Sequence, residues 1–100
     1  MIDLGVPVCF STDAVYGNWD DGHDLSYLAQ ALVEVGGFAP LHVIRMITAI
    51  PADAISWGDR LGTIDEGKLA DLLVVAGNPA DNIRALHDVR AVYKDGALAA

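Results

Sequence analysis

Apolar positions along this chain change their period once. From Asp24 to about Trp57 they recur at intervals of three and four, the signature of helices with one covered face. Beyond Gly58 they alternate or run together in short stretches, the signature of strands. Asp24 can cap a first helix, with Leu25, Leu28, Ala29, Leu32 and Val33 along one face and Gly36-Gly37 as its stop. Pro40 suits the first turn of a second helix presenting Leu41, Ile44, Ile47 and Thr48. Pro51 forces a break there, and a short third helix is predicted from Pro51 to about Trp57, closed by Gly58.

The strand signals lie on either side of this helical block. Residues 6–10 form a short β-rich run opened by Gly5, where Pro7 is tolerated near a strand start. Residues 62–64 and 71–75 are predicted to pair around a turn at Gly67. Asn78-Pro79 marks a loop, and residues 82–86 can hold one helical turn. Val89, Ala91 and Tyr93 alternate with Arg90, Val92 and Lys94 as a half-exposed strand, and Asp95-Gly96 signals a two-residue hairpin returning through Ala97 and Leu98. The expected fold class is α/β: one isolated strand, two to three helices, then a small antiparallel unit. The boundary is expected between residues 58 and 61.

Composition adds one thing to this picture. A chain of 100 residues allows one domain and removes only about two thirds of its unfolded surface from water. Yet 53% of the residues are hydrophobic, and Leu72-Leu73-Val74-Val75 asks for cover on both faces of its strand. The excess fits elements normally buried by further chain, or else a compact and unusually apolar domain.

A net charge of −8 with six Lys and Arg, and no basic cluster, argues against nucleic-acid binding. No run approaches the roughly eighteen apolar residues of a membrane span, and no charged leader precedes an apolar segment, so a cytoplasmic location is the default expectation. Cys9 has no partner for an internal disulfide and reads as a buried thiol in its strand.

The residue best placed for chemistry is Asp13, which ends the run Gly5-Val6-Pro7-Val8-Cys9-Phe10-Ser11-Thr12. A carboxylate at a strand end can ligate a divalent metal or take a proton from metal-bound water. A Ser-Thr-Asp cluster also caps turns well. Together with the sequence GTIDEGKLADLLVV at residues 62–75, the stretch GVPVCFSTDA at residues 5–14 resembles the tail of the amidohydrolase superfamily, in particular the imidazolonepropionase-like metal-dependent hydrolases. The resemblance runs over essentially the whole chain. It implies the last strand and helices of a (β/α)₈ amidohydrolase barrel over residues 1–58. Residues 59–100 would then be part of the small C-terminal β-sandwich domain. It also implies that this is a C-terminal portion of an enzyme.

By that resemblance Asp13 is a metal ligand and proton shuttle, the metal is most often zinc, and the substrate is a small-molecule amide or lactam. The family more often shows Gly before Thr-Asp or Ser-Asp where this chain has Ser11-Thr12-Asp13, a swap that keeps the carboxylate. It also favours Pro before the glycine that here follows Asp65-Glu66. The His-x-His pair, the further histidines and the bridging residue of such sites come from earlier strands, and this sequence contains none of them. His23, His42 and His87 show neither His-x-His nor i,i+4 spacing. Tyr16, Trp19 and His23 border the expected site mouth, where they could line a substrate pocket or simply pack and cap the loop.

Two functions follow. The first is the C-terminal portion of a metal-dependent hydrolase of amide, lactam or amidine C–N bonds, with the chain by itself inactive and a weak zinc binder. The second is a noncatalytic fragment or interaction module whose strand edges pair with a separate N-terminal half or with a second copy of the chain.

Overall fold

The computed structural model describes residues 5–11 and 24–100. Helix α1 (Asp24–Glu34), helix α2 (Pro40–Ile47) and helix α3 (Ala49–Ala54) come first. Strand β1 (Leu72–Val75), a 3₁₀ helix (Ile83–His87), strand β2 (Val89–Lys94) and strand β3 (Ala97–Leu98) follow. The class is therefore α/β, with helices beside an antiparallel sheet of order β1-β2-β3. None of its helices is long and apolar enough to cross a membrane among the described residues.

The core lies where helices and sheet unit meet. Ala29 of α1, Val43 of α2, and Ile83 and Leu86 of the 3₁₀ helix are buried together, with Leu32, Val33, Phe38, Ile44 and Ile47 packed around them. Ile83 and Leu86 are three apart, one turn of a 3₁₀ helix, so both point to the same side. Asn82 starts that helix by accepting the Arg84 amide at 3.1 Å. A polar seam runs alongside. Ser26, Gln30 and Glu34, four apart on α1, meet in turn the Leu86 carbonyl at 3.4 Å, His87 Nε2 at 2.7 Å and the Arg84 guanidinium at 2.6 and 3.1 Å.

Helix α1 ends as its glycines demand: Gly37 adopts φ +76°, and its amide reaches the Val33 carbonyl at 3.2 Å. The Asp24 side chain expected to cap this helix lies outside the described residues. In α2 the covered face is rotated from the expected one. Val43 and Met46 are fully buried, whereas Leu41 is 59% exposed. The core cluster covers Val43, Ile44 and Ile47, and residues 5–9 lie across a groove from His42 and Arg45, so cover comes from two directions. A single-face pattern cannot register that.

The break expected at Pro51 falls at Thr48 instead, and α3 ends at Ala54. Proline has no N–H to offer the carbonyl four residues earlier, and its ring crowds that carbonyl, so the disruption acts upstream of Pro51. Pro51 itself then sits harmlessly in the first turn of α3. Ser56, at φ +62°, takes the left-handed position expected of Gly58. Its amide bonds the Asp53 carbonyl at 2.9 Å and the Trp57 amide bonds Ala52 at 2.8 Å, the paired closure of a Schellman turn.

Residues 62–64 form no strand, contrary to expectation. The Lys68 ammonium gathers the Gly58 carbonyl and the Thr63 hydroxyl, each at 2.6 Å, and the Leu69 amide reaches the Arg60 carbonyl at 2.9 Å. That network curls the segment into a loop and leaves Ile64 88% exposed. Residues 6–10 likewise carry no strand assignment; they have no ladder partner among the described residues. They still alternate from Pro7 to Ser11, with Val8 and Phe10 half-buried and Pro7, Cys9 and Ser11 exposed. Cys9 is thus exposed rather than buried.

The sheet follows expectation more closely. Leu72 pairs with Tyr93, and a bulge between Val74 and Val75 ends the regular register. Asp95 and Gly96, at φ +50° and +79°, make the tight turn between β2 and β3, and Tyr93 faces Leu98 across it. Asp71 is structural and serves the hairpin turn: it accepts Lys94 Nζ at 2.7 Å and the Asp95 amide at 2.8 Å.

Gly62 fixes the passage from helices to sheet. At φ +95° its Cα lies against α3 so closely that an added Cβ would stand 2.7 Å from Ala52 Cβ and 3.0 Å from Ala49 Cα. Gly62→Ala is expected to lower stability by roughly 2–5 kcal/mol, combining an overpacking cost of about 1–3 with a left-handed backbone cost of about 1–2. Chemical denaturation measures it, and a loss below about 1 kcal/mol would contradict the close packing.

Candidate functional site

Asp13, Tyr16, Trp19 and His23 lie outside the described residues, whereas residues 5–11, which precede Asp13 in the chain, lie within them. Residues 5–11 pass alongside α2 and are tied to it by one backbone bond, from the Phe10 amide to the Met46 carbonyl at 3.2 Å. The availability of that carbonyl has a local cause. The last four carbonyls of any α-helix lack intrahelical donors, and in α2 these belong to Ile44, Arg45, Met46 and Ile47. Thr48 serves two of them: its hydroxyl donates to Ile44 at 2.7 Å and its amide to Arg45 at 3.4 Å. Phe10 serves Met46. Ile47 would need residue 51, which is proline and has no N–H.

Beside this contact an open groove of about 560 Å³ runs between residues 5–9 and helices α2 and α3. Val6 and Val8 line one wall, and His42, Arg45, Ile50 and Asp53 line the other. His42 is half-buried and stacks on Phe38 with ring centroids 6.2 Å apart, so it is a packed residue. An added Cβ at Gly58 would meet the Asp53 carboxylate, which would have to swing aside.

The third histidine is also a packing residue. His87 belongs to the 3₁₀ helix against α1, where it contacts Gln30 and lies 4.6 Å from the Tyr27 ring. With Gln30 Oε1 as acceptor, Nε2 donates, and Nδ1 is buried without a hydrogen-bond partner. The i,i+4,i+8 spacing of Ser26, Gln30 and Glu34 on α1 is the signal in the sequence for a polar face meeting this 3₁₀ helix.

The donor set does not fit a catalytic metal as it stands. Among the described residues no three His, Cys, Asp or Glu side chains come together, whereas catalytic zinc typically takes three protein ligands. Asp13, outside the described residues, is a carboxylate of suitable chemistry but a single donor.

With fold and surroundings in place, the comparisons identify the class. The amidohydrolase family profile matches residues 1–99, and the chain belongs to that family. Relatives include an imidazolonepropionase of Thermoplasma acidophilum, 30% identical over 92 residues, covering 92% of this chain and 22% of that protein. An N-substituted formamide deformylase of Arthrobacter pascens is 33% identical over 111 aligned positions, covering 98% of this chain and 20% of that protein. Among solved structures, a Xaa-Pro dipeptidase with methionine bound in its active site superposes with a TM-score of 0.84 at 36% identity, covering 98% of this chain and 23% of that one. The chain thus spans about a fifth of the length of the curated relatives it matches.

Two carboxylates in the described region carry depressed pKa values, and both are structural. The Arg84 hydrogen bond, aided by Gln30, holds Glu34 below its ordinary 4.5, and Lys94 with the Asp95 amide holds Asp71 below its ordinary 3.8. A carboxylate lowered in the folded state adds stability that is full above its unfolded pKa and is lost as pH falls through the folded one. Stability is therefore expected to decline as pH drops below about 4.5. Arg84→Gln should be less stable than the parent near neutrality, and the gap should close in acid. Melting curves from pH 7 to pH 2 test this; a gap that stays constant would sink the assignment to Glu34.

Proposed function

We propose that this chain is the C-terminal portion of an amidohydrolase that breaks a C–N bond in a small-molecule amide, lactam or amidine. The observation that carries the reading is the family match through residues 1–99, which includes Ser11-Thr12-Asp13. The chain would contribute the last strand and helices of a (β/α)₈ barrel over residues 1–58 and part of the small β-domain over residues 59–100. Active sites of such barrels gather at the C-terminal ends of the strands. The segment tied to α2, residues 5–11, ends two positions before Asp13 in the sequence.

Asp13 is assigned as proton-transfer group and metal ligand. A divalent metal, zinc in our reading, supplies carbonyl polarisation and a lowered water pKa when bound. Its other ligands would come from outside the described residues. Asp13 would hold the proton that must leave attacking water and return to the departing amine. Tyr16, Trp19 and His23 are candidates for substrate contact. The relatives' names cover formamide, imidazolone and Xaa-Pro substrates, and the family frame does not select among them.

In the complete polypeptide, Asp13→Asn is expected to lower kcat by at least about 10³-fold with little change in melting temperature, a loss beyond the 10²–10⁴ range of acid–base catalysis only if ligation also fails. Retained turnover would overturn the assignment. The chain alone should bind zinc only weakly, and stoichiometric sub-micromolar binding in calorimetry would contradict that.

A second reading, a noncatalytic module pairing through strand edges, is favoured by the sheet. Among the described residues β1 is paired on one side only, and Leu73 and Val74 are 51% and 43% exposed. Self-association of the isolated chain is the expected result in sedimentation, reduced by Leu73→Lys; a monomer at tens of micromolar would remove this reading.

A further inference from the structure

The tight turn between β2 and β3 carries a chemical liability as well as a shape. An Asp-Gly pair such as Asp95-Gly96 can close on itself. The Gly96 amide nitrogen bonds to Asp95 Cγ, and its proton leaves with a carboxyl hydroxyl as water. The succinimide ring so formed takes water back at either carbonyl. One opening restores Asp95. The other gives an isoaspartyl residue of the same mass, with the main chain one carbon longer. Glycine favours the closure because no side chain obstructs the approach of its nitrogen.

The fold holds the two reacting groups apart. Asp95 and Gly96 both stand at positive φ, +50° and +79°. A two-residue turn of this kind sets ψ of its first residue near about +30°. That orientation turns the Gly96 nitrogen away from the Asp95 side chain, whereas ring closure requires it to eclipse Cβ. Two bonds fix the orientation from outside the hairpin. The Gly96 amide donates to the Ala70 carbonyl at 3.0 Å, and the Asp95 amide donates to the Asp71 carboxylate at 2.8 Å, a charge-assisted bond. Lys94 Nζ, 2.7 Å from the same carboxylate, keeps it in place. Turning the Asp95–Gly96 peptide into the reactive position therefore breaks the bond to Ala70. Asp95 itself is exposed, so water reaches it as soon as the corner opens.

We propose that Asp95-Gly96 is a latent isomerisation site, locked by the Ala70–Asp71 corner and unlocked by local opening of the hairpin. The rate of conversion is governed by how often that corner opens. Refolding does not undo it. A turn with one extra main-chain carbon no longer joins Lys94 to Ala97 in register, so β3 loses its pairing with β2. The site thus records opening of this end of the sheet in covalent form, and the chemistry needs only water.

The test follows isoaspartate at residue 95 by site-resolved peptide mapping, since the masses are equal and the chain holds a second Asp-Gly pair at Asp21 and Gly22. The full chain is incubated near neutral pH beside a peptide of residues 91–100. The folded chain is expected to convert at least about tenfold more slowly than the peptide, the protection given by its two hydrogen bonds. Hydrogen exchange at the Gly96 amide is the independent readout. Asp71→Ala removes one acceptor and is expected to raise both exchange and conversion at least about threefold. Urea below the unfolding transition opens the corner without any substitution, and it should raise the two together in the parent chain. A folded chain converting as fast as the peptide overturns the proposal. So does faster Gly96 exchange, in the variant or in urea, with no matching rise in isoaspartate.

Discussion

Two side chains on a five-residue 3₁₀ helix hold this structure together. Ile83 and Leu86 enter the space between α1 and α2, where they meet Ala29 and Val43, and each of the four is 8% exposed or less. Burying large aliphatic side chains of this kind contributes about 1.5–3 kcal/mol each, which is substantial against the margin of a small domain. Without this contact the helices and the sheet would each keep a small, half-covered apolar face. The seam beside it adds direction rather than bulk. Glu34 receives the Arg84 guanidinium through two parallel bonds, and Gln30 meets His87, so α1 is fixed in rotation as well as in place.

From that junction the rest of the arrangement propagates. With α1 and the 3₁₀ helix set, α2 is held on its Val43 side, and its C-terminal carbonyls point where the break at Thr48 directs them. One of them receives Phe10. Residues 5–11 are thereby tied to the same body that carries the sheet. The path from α3 into the sheet depends on a glycine whose bare Cα touches Ala49 and Ala52, and on a lysine whose ammonium ties Gly58 to Thr63. The sheet itself is thin. Ile64, Leu73, Val74 and Leu98 remain exposed, consistent with a chain rich in apolar residues that spans about a fifth of its relatives.

What the amino-acid sequence determined by itself is whatever depends on near neighbours in the chain. Asp95-Gly96 makes its turn because both residues tolerate positive φ, and Gly36-Gly37 stops α1 for the same reason. Leu72 to Val75 is a strand from its own composition, and Asn82 starts a helical turn with its own side chain. Asp13 was legible as a candidate because a motif is local too. What only the tertiary structure decided depends on partners distant in sequence. Residues 62–64 have strand composition but curl, because Lys68 and the surface of α3 hold them. Helix α2 buries Val43 and Met46 rather than Leu41, because cover reaches it from two sides. The partners of Asp71 were settled by the fold, which brings Lys94 and Asp95 to it from more than twenty positions away. Local bonds are encoded in spacing. Long-range bonds are chosen by which surfaces the packed core brings within reach.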